Sequence, residues 1–369
     1  MNLLYYYPKK DIPIPATTDH ARNLFKYLLK REKELPFEEI MLFVSPKSIE
    51  EVQEQFSDLE VITYKNLHNK SNLVIHIPMI PGIYPNSKFL LYLYALIKRR
   101  KLILNFHGDF RMEMRFKFKY EHHLDILNIP SYIAWPYLLK SADKLILNSY
   151  MVSHLVQPIY RLKNEVIIPN AIDDFWFNRG NISNIELDGD PNLFYHGRLS
   201  SEKGIDLLIN GFSKAVSNSP KVKLYIAGSG SQQKYLETLC RKLGIEKKVV
   251  FLGYVRHEEV KSYLNNASAA IYPSIFDTFS LAILEAFSSV NGPVYYSSFA
   301  GINDFVVRNG YNLNAFEPTV ENISKIIKNV IDGNYDEQIV KQQKEFARQY
   351  TWEKVITQYI GLYREVVQL

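Results

Sequence analysis

The 369-residue sequence contains a single cysteine, Cys240, and no Cys and His cluster at the spacing of a zinc site. One thiol excludes an internal disulfide framework and is typical of a protein from a reducing compartment. Cys240 shares an apolar stripe of helical spacing with Leu236, Leu239 and Leu243. We therefore expect Cys240 in a helix that faces a core.

Long apolar runs are also lacking. The longest is 89–97, whereas a helix that spans a membrane needs about 18 apolar residues or more. The chain enters the run Leu3 to Tyr7 directly, without the basic, apolar and small-residue regions of a signal peptide. We expect no transmembrane helix, no export by a signal peptide, and a cytoplasmic location.

Low-complexity tracts and long runs of one charge are absent too. With 47% hydrophobic and 22% charged residues, the composition is that of a globular protein, and the length favours two domains. Residues 1–170 hold 23 Lys and Arg against 17 Asp and Glu, a net +6, whereas 171–369 hold 21 against 22, a net −1. A basic first half attracts acidic partners, including anionic lipid, although an ordinary soluble basic surface explains it equally well.

The first half does contain short apolar strands that alternate with helical patterns, which indicates a doubly wound α/β domain. The predicted strands are Leu3 to Tyr7, Ile40 to Val44, Leu73 to Ile77, Leu102 to Phe106 and Lys144 to Leu147. The first helix is predicted after Pro15, with Thr17 or Thr18 as its N-cap.

This pattern stops at 173–192, where Asn, Asp and Gly accumulate, and then restarts. The strands predicted beyond it are Leu193 to His196, Lys223 to Ala227, Val249 to Leu252, Ala269 to Tyr272 and Pro293 to Tyr296. We assign 1–172 to an N-terminal domain, 173–192 to a linker and 193–350 to a C-terminal domain. The end, 351–369, carries a helical apolar stripe that must bury against other residues.

Two loops of the second half carry residue types suited to a sugar phosphate. In the segment Tyr195 to Gly204, a strand ends at Gly197, and Arg198 and Lys203 precede a helix. A guanidinium binds phosphate bidentately, and a lysine near a helix N-terminus adds a point charge. An arginine at a strand end in a surface ion pair is the alternative.

The second loop runs from Tyr272 to Phe287 as strand, loop and helix. Asp277 falls in the loop and Glu285 about one turn inside the helix. Carboxylates accept hydrogen bonds from sugar hydroxyls, and helix amides hold phosphate. The alternatives are Asp277 as a helix cap and Glu285 as a solvated residue.

Seven segments, in order along the chain, resemble family 4 of the retaining glycosyltransferases. They are Leu104 to Asp109, Ala142 to Ser149, Val166 to Asp173, Gly197 to Gly204, Ile226 to Gly230, Val250 to Val255 and Asp277 to Glu285. The resemblance implies the GT-B fold, in which two Rossmann-like domains face each other across a cleft and the C-terminal helix packs back toward the N-terminal domain. The N-terminal domain would bind the acceptor and the C-terminal domain the nucleotide sugar.

The resemblance also implies a role for each matched residue. Arg198 and Lys203, with Gly197 in the same loop, would bind the donor diphosphate, and Glu285 would bind the ribose. The transferred sugar would contact Asp277 and the backbone of Thr278, Phe279, Ser280 and Leu281, and the base would lie near Ser229, Tyr254 and Val255. His107 would face the reacting centre, the alternative being a histidine that only caps a strand end.

The sequence departs from the family in the second loop. Asp277 stands where glutamate is usual, and Thr278 and Ser280 replace glycines, so the sugar pocket is unusual.

The motif Asp188-Gly189-Asp190 resembles a metal-binding Asp-x-Asp, but it precedes Pro191, and we interpret it as a turn. We expect no metal site and no cofactor, because the nucleotide sugar is a substrate.

The segment Phe110 to Tyr120 alternates apolar and basic side chains, which suits either an acidic or lipid-linked acceptor or an ordinary solvated loop.

The function that the resemblance implies is a metal-independent retaining hexosyltransferase of polysaccharide or glycoconjugate biosynthesis. It would use a UDP- or GDP-sugar, a glycan, lipid-linked or other hydroxyl acceptor, no nucleic acid, and peripheral contact with an anionic membrane as an open option. A sugar nucleotide epimerase of similar fold and a non-catalytic partner subunit remain alternatives.

Overall fold

The computed structural model describes residues 1–9, 16–84, 86–108, 118–119, 129–178, 185, 187–217, 219 and 221–368. These fall into two compact units. The N-terminal unit includes 1–108, 129–171 and 352–368, and the C-terminal unit includes 172–351. The last helix therefore belongs to the same unit as the first strand.

The N-terminal unit is built on a seven-stranded parallel sheet of order β3-β2-β1-β4-β5-β6-β7. The strands are β1 (Asn2–Tyr6), β2 (Ile40–Phe43), β3 (Glu60–Ile62), β4 (Leu73–Ile77), β5 (Lys101–Phe106), β6 (Lys144–Leu147) and β7 (Glu165–Ile167). Its helices are α1 (Ala16–Lys30), α2 (Ile49–Gln55), α3 (Ser87–Ile97), α4 (Ile129–Lys140), α5 (Tyr150–Tyr160) and, after the C-terminal unit, α13 (Trp352–Gln368).

Both faces of this sheet are covered. Leu3, Val74 and Ile103 pack with the buried stripe of α13, which includes Trp352 and Tyr363. Leu4, Ile75 and Leu104 pack on the other face with residues of α3, α4 and α5. Strands buried on both faces are continuously apolar, which is why these segments are so clear in the sequence. The predicted burial of the C-terminal stripe is confirmed.

The C-terminal unit has a six-stranded parallel sheet of order β10-β9-β8-β11-β12-β13. The strands are β8 (Asn192–His196), β9 (Lys223–Ala227), β10 (Val249–Gly253), β11 (Ala269–Tyr272), β12 (Val294–Ser297) and β13 (Ala315–Phe316). The helices are α6 (Ile205–Ala215), α7 (Gln233–Lys242), α8 (His257–Asn266), α9 (Leu281–Ser289), α10 (Ile302–Arg308), α11 (Val320–Ile331) and α12 (Glu337–Ala347). Cys240 lies buried in α7, as expected.

The α/β prediction with two parallel sheets is confirmed, but three strands were missed. These are β3, β7 and β13, and each lies at an edge of its sheet. They are two or three residues long, and none is buried along its whole length. An edge strand pairs with a neighbour on one side only and is partly exposed. It therefore lacks the continuous apolar run by which a central strand is recognised.

Two local predictions differ from the structure. Thr17 and Thr18 are not N-caps, because α1 begins at Ala16 and Thr18 is buried inside it. The segment 173–192 is not a linker throughout: Asp174–Phe177 form a 3-10 turn whose Trp176 is buried in the C-terminal unit. Ser289 Oγ donates to the Trp176 carbonyl at 3.0 Å, so this turn packs on α9.

None of the helices described is long and apolar enough to cross a membrane.

Candidate functional site

The candidate residues of the C-terminal unit follow the carboxyl ends of four neighbouring strands. Gly197 follows β8, Ser229 is the second residue after β9, Tyr254 follows β10, and Asp277 lies in the loop after β11. Parallel strands end at one edge of a sheet, and ligands of open α/β sheets bind there. The topology therefore brings sequence-distant loops together.

Glycines shape the loop from Gly197 to Gly204. The Gly197 N–H donates to the Ala227 carbonyl at 3.0 Å, which ties the start of this loop to the end of β9. Gly204 has a φ of 63°, and a Cβ on it would lie 2.3 Å from the Pro273 carbonyl oxygen. Only glycine fits such a position. The loop thus lies directly against the loop that follows β11.

Glu202 joins the same two loops, although the sequence did not single it out. Its carbonyl accepts from the Ile275 N–H at 2.8 Å and the Phe276 N–H at 3.2 Å. Its buried carboxylate accepts from Ser200 Oγ at 2.5 Å and lies 3.5 Å from Arg198 Nη2. Glu202 therefore orients the loop and one end of the Arg198 guanidinium, while the Arg198 side chain remains 56% exposed.

Lys203 and Asp277 form an ion pair that joins the two loops. Lys203 Nζ lies 2.6 Å from Asp277 Oδ2, and their side chains are only 16% and 11% exposed. The resemblance assigned these residues to different parts of a donor, the diphosphate and the sugar. In the structure each balances the charge of the other, so two buried charges are neutralised at the sheet edge.

Glu285 lies in α9 and is held by His196 at the end of β8. His196 Nε2 donates to Glu285 Oε2 at 2.8 Å, and His196 Nδ1 lies 2.8 Å from the Tyr272 hydroxyl. Burial raises the pKa of Tyr272, so its hydroxyl is protonated at neutral pH. Among the described residues, Glu285 Oε1 makes no hydrogen bond. One carboxylate oxygen is therefore oriented while the other is available to a ligand.

Two opposing effects act on the pKa of Glu285. Burial raises it, but the hydrogen bond and charge of His196, followed by the charge of His257, lower it further, so the pKa lies below its usual value. The carboxylate is ionised at neutral pH and can accept hydrogen bonds from hydroxyl groups.

The N-terminus of α9 adjoins Asp277. Ser280 precedes the helix in the left-handed conformation, with a φ of 76°, at a position where the family has glycine. Phe279 is buried against Phe305, so only its backbone faces this loop, and its carbonyl accepts from the Ile302 N–H. Thr278 and Leu281 are half-buried on either side. The helix therefore begins within the loop that carries Asp277.

The residues predicted near a nucleobase lie at the ends of β9 and β10. The Ser229 carbonyl accepts from the Leu199 N–H at 3.0 Å, and the Gly228 N–H donates to the Gly253 carbonyl at 2.7 Å. Tyr254 is 56% exposed and Val255 half-buried. The three residues thus flank the loop that begins at Gly197.

His107 belongs to the other sheet. It follows β5 in the N-terminal unit, and its Nε2 donates to the Pro78 carbonyl at 3.0 Å. Burial lowers the pKa of His107 to about 4; the hydrogen bond to Pro78 opposes this, and the positive charge of Lys88 adds a smaller lowering. His107 is neutral at pH 7, with the proton on Nε2.

Two further segments were considered in the sequence. Asp188 pairs with Lys223, and its carbonyl accepts from the Tyr225 hydroxyl at 2.9 Å, so Asp188-Gly189-Asp190 forms a bend against β9. In the part of the chain that the structure covers, no three His, Cys, Asp or Glu residues could hold a metal ion. The segment Phe110 to Tyr120 lies outside the described residues except for 118 and 119, which are exposed.

Sequence reasoning assigned no role to His196, Tyr272 or Glu202. His196 is a titratable residue at the end of an otherwise apolar buried strand, and this was the available signal. Tyr272 and Glu202 carry no such signal, because a strand tyrosine and a loop glutamate are common.

Two parallel α/β sheets, with cationic and acidic loops at the carboxyl edge of the second, define the GT-B class of glycosyltransferase folds. The structure of HepE from Anabaena with UDP and glucose superposes with a TM-score of 0.74, at 17% identity, over 99% of this chain and 100% of that one. Sucrose-phosphate synthase from Thermosynechococcus elongatus gives 0.72, at 17% identity, over 100% and 99%.

Residues 181–349, a little under half of the chain, match the family described as glycosyl transferases group 1. An uncharacterized glycosyltransferase of Methanocaldococcus jannaschii is 29% identical over 184 residues, which are 49% of this chain and 47% of that protein. A glycogen synthase of Mycobacterium tuberculosis is 29% identical over 174 residues, 46% of this chain and 41% of that protein. The match thus spans less than half the length of each of these relatives.

Proposed function

We propose that this chain is a retaining glycosyltransferase that moves a sugar from a UDP- or GDP-sugar to a hydroxyl of a glycan, lipid-linked or other acceptor. The observation that carries the proposal is the junction of two loops in the C-terminal unit. Lys203 and Asp277 lie 2.6 Å apart there, with Arg198 on the first loop and Glu285 in α9, the helix that follows the second loop. Cations suit a diphosphate and carboxylates suit hydroxyl groups, which are the two parts of a nucleotide sugar.

The donor would bind along the carboxyl edge of β8 to β11. Arg198 and Lys203 would hold the diphosphate, and Glu285 would accept from the ribose through Oε1. Asp277 and the backbone from Thr278 to Leu281 would hold the sugar, while Ser229, Tyr254 and Val255 would flank the base. Because Lys203 is paired with Asp277, a diphosphate would share this ammonium, and Asp277 would turn its carboxylate toward the sugar hydroxyls.

Charge stabilisation would drive the reaction. The bond from the anomeric carbon to the diphosphate breaks, and the electron pair leaves on a phosphate oxygen beside Arg198, Lys203 and the N-terminus of α9. The acceptor hydroxyl attacks the same face and gives its proton to the leaving phosphate, which retains the configuration. His107 would face the reacting centre from the N-terminal unit. We propose that the protein cations replace a metal, so that activity survives EDTA.

A melting screen against nucleotide sugars tests the donor assignment. A ligand at about a hundredfold its Kd stabilises the folded state by about 2.7 kcal/mol, so the true donor will raise Tm most. The Glu285→Ala protein should lose this shift. If no nucleotide sugar stabilises the protein, the proposal is wrong.

Product analysis then separates the reaction types. Release of the free nucleoside diphosphate without acceptor, and an acceptor product whose anomeric signals match the donor configuration, support retaining transfer. An altered sugar nucleotide formed without acceptor favours an epimerase instead, and donor binding without turnover favours a non-catalytic subunit.

For location we propose the cytoplasm, with peripheral contact between the basic residues of 1–170 and anionic lipid.

A further inference from the structure

Three side chains of the N-terminal unit lie on segments that follow the carboxyl ends of β1, β4 and β5. Lys88 lies in the first turn of α3, His107 follows β5, and His20 lies in α1. The rings of His20 and His107 are 4.5 Å apart, and the charge of Lys88 is close enough to lower the pKa of His107. This group lies in the N-terminal unit, to which the family resemblance assigns the acceptor.

Lys88 is a half-buried ammonium that makes no hydrogen bond or ion pair with any residue the structure describes. Burial lowers its pKa to about 8. Other half-buried lysines of this protein have oxygen partners: Lys101 donates to the Val366 carbonyl at 2.8 Å, and Lys248 to the Val216 carbonyl at 2.8 Å. An ammonium withdrawn from water without a partner is costly, so its position calls for an anion.

The start of α3 adds to this positive potential. Asn86 caps the helix through the Phe89 N–H, whereas the N–H groups of Ser87 and Lys88 have no acceptor among the described residues. A helix N-terminus carries a partial positive charge and binds phosphate through such groups. The positive ammonium of Lys88 is therefore repelled by the positive N-terminus of α3 unless an anion binds between the two.

The two histidines supply no counter-charge. His107 donates from Nε2 to Pro78, and burial keeps it neutral. His20 is 3% exposed; its Nε2 lies 3.3 Å from the Tyr359 hydroxyl, and its Nδ1 has no hydrogen-bond partner among the residues that the structure describes. A buried orphan nitrogen beside His107 is a second sign that a polar ligand belongs here.

We propose that Lys88, with the first turn of α3, binds a phosphate ester of the acceptor and thereby brings an acceptor hydroxyl to His107. A lysine ammonium binds phosphate as a point charge, and the free N–H groups of a helix N-terminus bind further phosphate oxygens. This inference rests on the proposed function, because it names the substrate class for the acceptor half of that reaction.

The test is calorimetric titration with monomethyl phosphate. The protein is first saturated with the nucleoside diphosphate found in the melting screen, so that the C-terminal loops are occupied. Lys88→Gln should weaken binding about tenfold or more, since a charge-assisted hydrogen bond is lost. Lys88→Arg and the control Lys98→Gln, an exposed lysine that follows the same helix, should stay within about threefold of the wild type.

Folding is checked by Tm, which should not fall in Lys88→Gln because the lost charge has no partner. Equal binding by wild type and Lys88→Gln would overturn the inference, as would equal binding of acetate in place of the phosphate ester. If no nucleotide binds, the proposed donor function fails. The titration is then run on Arg198→Ala protein, where loss of binding on Lys88→Gln still supports the anion site.

Two arms distinguish the source of the phosphate. Glycerol 3-phosphate represents a soluble ester, and vesicles of phosphatidic acid in phosphatidylcholine represent a lipid. Binding of the soluble ester that depends on Lys88, without an effect on vesicle co-sedimentation, indicates a soluble acceptor. Loss of both in Lys88→Gln indicates a lipid-linked one, and both results support the site.

Discussion

The carboxyl edges of the two sheets accommodate buried polar side chains in different ways. In the N-terminal unit the buried histidines of this edge are neutral: burial lowers the pKa of His76 to about 4 and that of His20 well below its usual value. In the C-terminal unit they are charged and paired, as Lys203 is with Asp277. Each edge contains buried titratable groups, but at the second Lys203 is already paired with a carboxylate, so an anion that binds Lys203 competes with Asp277.

A buried hydrogen-bond network around the neutral His76 also holds α13 on the N-terminal sheet. His76 Nε2 lies 2.7 Å from Asn105 Oδ1 and His76 Nδ1 lies 2.6 Å from the Tyr363 hydroxyl, while Asn105 Nδ2 donates to the Tyr359 hydroxyl at 3.0 Å. Because both tyrosines belong to α13, the end of the chain is joined to β4 and β5 by hydrogen bonds as well as by apolar packing. The difference teaches that the neutral histidine network of the first edge serves rigidity, whereas the charged pair of the second edge serves ligand exchange.

The largest expected effect is on the charged edge. Arg198→Ala should lower kcat by about a hundredfold to a thousandfold, as loss of one transition-state donor does. The control Arg241→Ala removes an exposed arginine of α7 and should leave kcat near the wild-type value. Steady-state rates with the donor from the melting screen decide this. A normal kcat for Arg198→Ala would remove the contrast between the two edges.

Acid should destabilise the carboxyl edge of the N-terminal sheet first, because His76 is buried there as a neutral group. The folded pKa of His76 lies near 4 and the unfolded value near 6.5, so the unfolded chain takes up a proton as pH falls through this window while the folded one does not. Stability is complete above pH 6.5 and falls by about 3 kcal/mol for this group by pH 4. Hydrogen exchange of β4 and β5 between pH 7 and 4.5 measures the loss. Replacement of the exposed His154 by Gln should leave the slope unchanged.

Packing of the two charged loops is tested at glycine positions. Gly204→Ala should destabilise the protein by about 2 kcal/mol more than Gly244→Ala. Both glycines are left-handed, with φ of 63° and 68°, but a Cβ at Gly204 meets the Pro273 carbonyl at 2.3 Å, whereas at Gly244 it meets nothing within 4 Å. Urea denaturation measures both. Equal losses would mean that the close approach of the loops does not constrain them.

A smaller effect concerns the orientation of Glu285. His196→Phe removes the hydrogen bond and charge that offset burial, so the pKa of Glu285 should rise. We expect nucleoside diphosphate affinity to fall about tenfold at pH 7, and further at pH 5.5, by calorimetry. Tyr272→Phe keeps His196 and should cost no more than about threefold. A pH-independent loss would point to a steric effect instead.

The smallest effect is expected at Ser280. Ser280→Gly relieves a left-handed conformation worth about 1 kcal/mol and adds a similar entropy to the unfolded chain, so the free energy of unfolding should change by less than about 1 kcal/mol. The KM for the donor sugar should change more than stability does, since the side chain adjoins the α9 N-terminus. Measuring both separates strain from recognition.

The central strands and the order of the loops were predictable because their signals are local. Apolar runs such as 73–77 and 223–227 coincide with β4 and β9 to the residue. The edge strands, the buried turn at Trp176 and the partners of Glu285 were not predictable. Their identity depends on contacts between residues as far apart as His196 and Glu285, which no window along the chain contains.

By itself the sequence determined two α/β units, the glycines that shape the loop after β8, and the residue types available for phosphate and hydroxyl groups. Only the tertiary structure decided that Lys203 is paired with Asp277, that His196 orients Glu285, and that Lys88 has no partner among the described residues. The physical reason is that chemistry at a sheet edge depends on which side chains share a buried volume. The fold creates that proximity, and spacing along the chain does not record it.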